Sequence, residues 1–295
     1  MATRAQLIFL GTLLVLVVAA LLWVFVSLPD AQASGVYEPA VSEPEPEPVP
    51  PLPPPALLQE DEDPPVVYPL YLVLDDAGHT LEDLRRFFPF SGTFTVAVLP
   101  GLADSVESAR VSRALGHQVI LHQPMEPLSD LDPGPGAIYL GDSEEVVRQV
   151  LARNLASLGP VAGVNNHMGS RVTADPETMR TVLRFLQEQQ VFFLDSRTTP
   201  ESVVEEVARE LDIPVLVRHV FLDNHRTREA IRDQLLIALD IARNNGEVLM
   251  IGHVTSPELA EVLLEMEGEI IRQGFSFRPL TEALQRRGAD ADSRN

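Results

Sequence analysis

The sequence contains no cysteine. This absence excludes disulfides, thiolate metal sites and cysteine nucleophiles together. The sequence also contains no lysine, so all 22 basic side chains are arginines, and they stand against 43 acidic residues. The resulting net charge of -21 argues against a nucleic-acid partner, because binding to phosphates needs a basic face.

The first 33 residues carry an apolar segment of membrane-spanning length. Leu7–Leu28 contains no charged residue, and a helix needs roughly 20 apolar residues to cross the hydrocarbon core. Arg4 precedes the segment and Asp30 follows it. The positive-inside tendency therefore predicts a single-pass anchor in the inner (cytoplasmic) membrane, with the rest of the chain on the periplasmic, extracytoplasmic side. A cleaved signal peptide is the alternative, because Ala31-Gln32-Ala33 has the form of a cleavage site.

Residues 34–66 are rich in proline and glutamate and show no hydrophobic periodicity that could form a packed face. This composition predicts a disordered linker, in which proline favours extended polyproline II. Residues 67–286 are predicted to form the folded domain, and residues 287–295 a disordered tail.

Apolar strand patterns alternate with amphipathic helix patterns from residue 66 onward. The predicted strands are Leu70–Leu74, Thr93–Leu99, Gln118–Leu121, Val161–Val164, Val191–Leu194, Val215–Leu222 and Val248–Ile251. The predicted helices include Ser143–Leu158, Pro176–Gln189, Glu201–Leu211, Arg228–Asn244 and Pro257–Gln273. This alternation indicates an α/β fold with a parallel sheet covered by helices. The number of units favours a barrel over an open doubly wound sheet.

Polar side chains follow nearly every predicted strand. The residues at these ends include Asp75-Asp76, His122-Gln123, Asn165-Asn166-His167, Asp195-Ser196, Asp223-Asn224 and Gly252-His253. In an α/β barrel the carboxyl ends of all strands lie on one face. We therefore expect these side chains to converge, although they are far apart in the sequence.

The pair Asp75-Asp76 is the first candidate for chemistry. Adjacent carboxylates at the edge of an apolar core repel each other, and a divalent cation would compensate that charge. Neighbours on a strand point to opposite faces, so one aspartate could bind the metal while the other acts as a base. A plain turn before Gly78 is the alternative for this pair.

Two histidines and a glutamate are candidates for completing a metal site. His122 ends a strand, and a neutral imidazole beside aspartates is a common zinc ligand. Glu126 lies four residues later, close enough in the chain to join it, while His167 could supply a further imidazole. Asn165 and Asn166 would orient the loop or bind substrate. Arg171 would bind a developing oxyanion or pair with an acid.

Three more strand-end residues are candidates. An aspartate beside a histidine fixes the imidazole tautomer and raises its pKa, as a general acid requires. His253 is the predicted acid, and Asp195 and Asp223 are additional candidates. We expect His117 to have a structural role and His79, His219 and His225 to lie on the surface.

These motifs resemble those of the divergent polysaccharide deacetylase family, a branch of the NodB-like carbohydrate esterase superfamily. The similar stretches, between Tyr68 and about Leu284, are LVLDDAGH, GHQVILHQPMEP, GVNNHMGSRVTAD, FFLDSRT, VFLDN and IGHV. The resemblance implies a distorted (β/α)7-type barrel with a divalent metal, Zn2+, at its mouth.

The resemblance also implies roles for individual residues. The first motif of the superfamily gives a base and a ligand, which correspond to Asp75 and Asp76, and the last gives a general acid, which corresponds to His253. The second motif there holds two histidines four apart, whereas this chain has His122 followed by Glu126. His167 would then replace the missing ligand.

Together these features predict a metal-dependent hydrolase of C–N (amide) bonds that deacetylates an N-acetylated envelope polysaccharide. Metal at Asp76, His122 and His167 would work with Asp75, His253 and Arg171. The alternative is a catalytically inactive barrel that binds envelope glycan or a partner, which the substituted second motif favours. A third hypothesis is cleavage of a peptide amide in peptidoglycan.

Overall fold

The computed structural model describes residues 67–292. The predicted membrane segment (residues 1–33) and linker (residues 34–66) lie outside these residues. Between residues 67 and 292, no helix combines the length and apolar character that a membrane crossing requires.

Strands and helices alternate along the described chain. The strands are β1 (Tyr68–Ala77), β2 (Thr95–Val98), β3 (Gln118–Met125), β4 (Gly163–Met168), β5 (Phe192–Asp195), β6 (Val215–Val217), β7 (Val220–Phe221), β8 (Val248–His253) and β9 (Phe275–Phe277). The helices are α1 (Leu81–Arg85), α2 (Ser105–Ala114), α3 (Glu144–Leu158), α4 (Pro176–Glu188), α5 (Val204–Leu211), α6 (Arg228–Asn245), α7 (Pro257–Arg272) and α8 (Leu280–Asp292), with a short 3₁₀ helix at Val172–Ala174. Helix α8 continues beyond residue 286, where a disordered tail was predicted.

Side-chain caps fix where several helices begin. The Ser143 hydroxyl accepts a hydrogen bond from the Val146 amide, and Asp175 accepts one from Thr178 just before Pro176 opens α4. Such caps satisfy amide groups that have no partner inside the helix. The predicted helix starts at Pro176, Arg228 and Pro257 agree with the structure, whereas α5 begins at Val204 rather than at Glu201.

All strand pairs in the sheet are parallel, and the strand order is β6-β5-β4-β3-β2-β1-β8-β7, with β9 also paired to β1. The prediction of a parallel α/β sheet covered by helices is therefore confirmed. The predicted strand Val215–Leu222 is in fact two short strands. They are separated by Arg218 and His219 and lie at opposite ends of the strand order.

The two sheet edges are therefore joined by the chain itself rather than by a hydrogen-bonded strand pair. The Arg218 amide donates to the carbonyl of Asp195, the last residue of β5, and the next amide, that of His219, donates to the Leu249 carbonyl on β8. The chain thus changes partner between two consecutive residues. We call residues 215–221 the seam of the curled sheet.

The core has two layers that follow the alternation of each strand. On β1, Leu70, Leu72 and Leu74 face the helices, whereas Tyr71 and Val73 belong to a second cluster. This second cluster also takes side chains from β2, β3, β5, β6 and β8. Because these strands contact one small cluster with the same face, the sheet curls around it, and this concave face is called the inner face below.

Helix α8 contributes Leu280 and Ala283 to the inner cluster. We expect Leu280→Ala to lower the free energy of unfolding by about 2–5 kcal/mol, because the fully buried side chain would leave a cavity. Urea unfolding monitored by circular dichroism measures this change. Leu236→Ala is the control: Leu236 is 46% exposed, so the expected change is within about 0.5 kcal/mol. Equal effects of the two substitutions would contradict this packing.

Candidate metal centre and active site

Strand β1 ends in an irregular segment that carries both aspartates. Leu74 is opposite Val96 of β2, but Ala77 is opposite Val98, so β1 contains one extra residue between these two pairs. Asp76 has a φ of 66°, in the left-handed region that non-glycine residues rarely adopt. This β-bulge reverses the usual alternation. Asp75 and Asp76 consequently approach the same imidazole, that of His122, instead of facing opposite sides.

The inner face supplies most of the other polar groups. Along most of each strand, the side chains at inward positions are apolar and form the inner cluster. At the carboxyl ends of the strands, the side chains at inward positions are polar. The residues at these inward positions are Asp75, His122, Asn165, His167, Ser196, Asp223 and His253. The strands therefore direct them into the mouth of the curled sheet.

Three side chains form a compact donor cluster. The Oδ1 atom of Asp76 lies 3.2 Å from His122 Nε2 and 3.0 Å from His167 Nδ1, and the two imidazole nitrogens are 3.1 Å apart. In a tetrahedral zinc site with bonds of about 2.0–2.1 Å, neighbouring donor atoms lie about 3.3 Å apart. This Asp–His–His cluster therefore has the composition and the spacing of a metal centre.

The Oδ1 atom of Asp76 supports the same conclusion. It is buried and, within the described part of the chain, it has no hydrogen-bond partner of proper geometry, although two imidazoles lie close to it. A buried carboxylate oxygen without such a partner is costly. A cation between the three donors would remove that cost, so the residues present fit a divalent metal.

Asn165 sets the orientation of His122. Its amide oxygen lies 2.8 Å from His122 Nδ1, and its amide nitrogen donates to Asp75 Oδ1 at 2.9 Å and to the Ser196 hydroxyl at 3.2 Å. Because an amide oxygen can only accept, His122 donates from Nδ1 and keeps a lone pair on Nε2. The Nε2 atom faces the cluster, so Asn165 holds His122 in the tautomer that binds a metal.

The electrostatics of the cluster favour a positive charge. Burial raises the pKa of Asp75 above its ordinary value, although His122 and His253 oppose this rise. Burial would also raise the pKa of Asp76, but the His122 and His167 imidazoles outweigh it and hold the pKa well below its usual range. Burial disfavours the charged form of His122, yet the neighbouring Asp75 and Asp76 raise its pKa.

His253 and Asp223 form a second functional pair. Asp223 accepts from the His253 backbone amide at 3.0 Å, and its other oxygen lies 2.9 Å from His253 Nδ1. Burial disfavours the charged imidazole, but the hydrogen bond and the charge of Asp223, together with Asp76 and Asp75, raise the pKa of His253 to about 9. His253 is the register partner of Asp75 on the adjacent strand, so the two side chains enter the mouth side by side.

Glu126 and Arg171 lie outside the donor cluster. Glu126 Oε2 accepts from the Leu140 amide at 2.8 Å, and its Oε1 lies 3.3 Å from Arg171 Nε. Arg171 also donates to the carbonyls of Pro127 and Leu128. Both residues therefore hold the loop after β3, and neither shares a contact with Asp76, His122 or His167 in residues 67–287.

Asn166 and Asp195 occupy the outward positions of their strands. Asn166 accepts from the Ser196 amide and donates to the Met168 carbonyl, and Asp195 accepts from the Arg197 amide and the Ser202 hydroxyl. Burial raises the pKa of Asp195. These contacts fix the loops that follow β4 and β5.

The turn after His167 depends on two left-handed residues. Met168 has a φ of 53° and Gly169 a φ of 80°. A Cβ atom at position 169 would lie 2.9 Å from Met125 Cβ, so both the conformation and the close approach require glycine there. This turn follows His167 directly and brings β4 to its end beside β3.

The sequence patterns did not indicate Arg218 or Phe221, and they placed Ser196 at a strand end without giving it a role. The Ser196 hydroxyl accepts a hydrogen bond from the Asn165 amide nitrogen, and Phe221 stacks on the His253 imidazole with ring centroids 5.2 Å apart. The guanidinium carbon of Arg218 lies 4.6 Å from the centre of the Phe221 ring. The available signal was alternation, since Ser196 and Phe221 each occupy an inward position in phase with the apolar cluster.

A cleft of about 330 Å³ opens beside His167. Its walls are mostly apolar, formed by Leu99, Leu102, Pro133, Pro135 and Met168, and its polar side chains include His79 and Asp132. A cleft of this volume falls within the range of small-molecule sites. The cleft therefore reaches the donor cluster at His167, on the side of β2 to β4.

A parallel α/β sheet with an Asp–His–His cluster at its carboxyl edge defines an α/β protein with a candidate metal centre at the mouth of the sheet. Residues 72–284 match the family model described as Divergent polysaccharide deacetylase. The chain belongs to this family, which confirms the resemblance found in its motifs.

Two relatives are similar over roughly two thirds of the chain. A Haemophilus influenzae protein described as an uncharacterized protein is 34% identical over 186 residues, which are 62% of this chain and 66% of the relative. The Escherichia coli K12 protein described as uncharacterized protein YibQ is 31% identical over 197 residues, which are 67% of this chain and 61% of the relative. The matched part thus spans just under two thirds of the length of these relatives.

A solved structure supports the fold. The crystal structure of an uncharacterized protein from Agrobacterium tumefaciens C58 aligns with a TM-score of 0.70 at 21% sequence identity. The alignment covers 74% of this chain and 89% of that chain.

We expect Asn165→Ala to weaken zinc binding by about 10- to 100-fold, because His122 would lose the contact that fixes its tautomer. Isothermal titration calorimetry of the metal-free protein with zinc measures the affinity. Asn244→Ala, on the exposed surface of α6, is the matched control and should bind zinc as the unchanged protein does. Unaltered affinity in Asn165→Ala would contradict the proposed role of this amide.

Proposed function

We propose that the protein is a zinc-dependent amide hydrolase that removes N-acetyl groups from an envelope polysaccharide. One observation carries the proposal: a metal-type donor cluster lies beside the buried carboxylate of Asp75 and beside an aspartate–histidine pair whose aspartate is buried. Membership of a polysaccharide deacetylase family supports the substrate class. Two imidazoles and one carboxylate are a donor set typical of catalytic zinc.

The positions of the residues in the site indicate different roles for the donor cluster and for Asp75. Asp76, His122 and His167 would hold the cation, which would polarise the acetyl carbonyl and lower the pKa of a water molecule. Asp75 does not belong to the donor cluster and is fixed by Asn165. Its burial raises its pKa, and a raised pKa makes a carboxylate a more effective base near neutral pH.

The proposed reaction uses Asp75 as base and His253 as acid. Asp75 accepts a proton from the attacking water while the water oxygen forms a bond to the acetyl carbon. His253 then donates its Nε2 proton to the amide nitrogen as the C–N bond breaks, which releases acetate and a free amine. Arg171 has no step in this scheme, because its contacts lie with Glu126 and the loop after β3.

We also propose a location for this activity. The apolar segment Leu7–Leu28 and the flanking charges support an anchor in the cytoplasmic membrane. The catalytic domain would then act on the extracytoplasmic side, where it meets envelope polysaccharide.

A second candidate function is glycan or partner binding without turnover. Glu126 favours it, because this residue stands where the superfamily motif has a second histidine and it lies outside the donor cluster. Cleavage of a peptide amide in peptidoglycan is a third hypothesis, which would use the same residues on another bond.

Metal removal and Asp75→Asn test the hydrolase proposal. A chelator should abolish acetate release from N-acetylglucosamine oligomers and zinc should restore it, whereas Asp75→Asn should lower release by about 100-fold or more at unchanged oligomer binding. An enzymatic acetate assay and calorimetry measure the two quantities. Asp240→Asn, on an exposed side chain of α6, is the control.

The outcomes separate the candidate functions. Full acetate release after metal removal, or in Asp75→Asn, would contradict the hydrolase. Binding of oligomers without acetate release by the unchanged protein would favour the binding function, and release of peptide from peptidoglycan would favour the third hypothesis.

The pH profile tests the His253–Asp223 pair. A general acid must be protonated, and a His253 pKa of about 9 keeps it protonated at neutral pH. Asp223→Asn removes the charge that raises this pKa, so the alkaline limb of kcat/KM should move to lower pH, by about one unit or more. Kinetics of acetate release between about pH 6 and pH 10, on both sides of a pKa of about 9, measure the alkaline limb. An alkaline limb that does not move would contradict the assignment of His253 as acid.

A further inference from the structure

The seam contacts both β5 and β8 and includes β7, close to His253, the proposed general acid. At Arg218 the main chain bonds to β5, and at His219 it bonds to β8, which carries His253. Phe221 follows on β7, and Leu222 donates to the Ile251 carbonyl of β8. The chain segment that joins the sheet edges therefore lies against the strand that ends in His253.

Arg218 fastens this segment to the end of β5. Its Nε donates to the Ser196 carbonyl at 2.6 Å and its terminal nitrogen donates to the Arg197 carbonyl at 2.9 Å. The planar guanidinium makes such paired contacts in a fixed geometry. Its carbon atom lies 4.6 Å from the centre of the Phe221 ring, so the same group also fixes the position of this ring.

Phe221 in turn contacts His253. The two rings are stacked at an angle of 21° with centroids 5.2 Å apart. Asp223 already holds the Nδ1 side and the backbone of His253, but a hydrogen bond at one nitrogen still lets the imidazole plane turn. A ring stacked on its face restricts this rotation.

We propose that Arg218 and Phe221 are positioning residues that fix the plane of the His253 imidazole and thereby aim its Nε2 proton at the leaving amine. The kinetic part of this inference rests on the proposed function. The structural part does not, because it concerns the free protein.

The structural part is tested by nuclear magnetic resonance of the histidine ring signals, assigned with His253→Gln. A stacked phenyl ring shifts the His253 ring protons upfield. We expect Phe221→Leu to remove this shift, Phe221→Tyr to keep it, and Arg218→Met to reduce it. Arg148→Met is the matched control, because Arg148 stacks on Phe185 at 5.1 Å in the same way but far from the mouth, and it should leave the His253 signals unchanged.

The kinetic part is tested by acetate release. Misaligned proton transfer should lower kcat by about 10- to 100-fold in Phe221→Leu and by about 10-fold in Arg218→Met, with KM unchanged. Phe221→Tyr should restore most of kcat, which a loss of folding would not explain. Thermal unfolding of each variant, compared with Arg148→Met, shows whether the domain remains folded.

The outcomes can be told apart. His253 signals that do not move in Phe221→Leu or in Arg218→Met would overturn the inference, as would moved signals with an unchanged kcat. A protein that releases no acetate in any form would overturn the proposed function, while the spectra would still decide whether Arg218 and Phe221 position His253.

Discussion

The site depends on two adjacent carboxylates at the end of β1, Asp75 fully buried and Asp76 partly buried. Neighbouring negative charges in a poorly solvated place need a compensating positive charge or several donors. The bulge in β1 turns both aspartates toward His122. The Asn165 amide nitrogen donates a hydrogen bond to Oδ1 of Asp75, the carboxylate oxygen that does not face His122. Among the described residues, Asp76 Oδ1 has no hydrogen-bond partner of proper geometry, and it faces the imidazoles of His122 and His167. A divalent cation at this point would complete the arrangement, and the roles proposed for the other residues follow from it.

Much of this arrangement could be predicted from the sequence, because the inward and outward positions of each strand are fixed by alternation. Tyr71 and Val73 belong to the inner cluster, so Asp75 two residues later faces the mouth. The same rule leads from Ile120 to His122 and from Leu249 and Ile251 to His253. It also places Asn166 and Asp195 on the outward side, where they hold loops and do not contact the cluster.

The features that could not be predicted depend on contacts between distant segments. The extra residue that redirects Asp76 is visible only in the pairing of β1 with β2. The apolar run from Val215 to Leu222 does not reveal that its two halves pair with different strands. Glu126 and Arg171 were both candidates for the site, yet the loop carbonyls and the Leu140 amide that hold them are contributed by segments whose positions the sequence does not specify.

The order of the functional residues along the chain has a consequence for synthesis. Asp76, His122 and His167 lie on β1, β3 and β4, and these strands lie within four neighbouring positions of the sheet. Asp223 and His253 come later, and β8, the strand that flanks β1 on its other side, is among the last to leave the ribosome. A nascent chain therefore contains all three residues of the donor cluster before it contains His253. The donor cluster and the Asp223–His253 pair are therefore completed at different stages of synthesis.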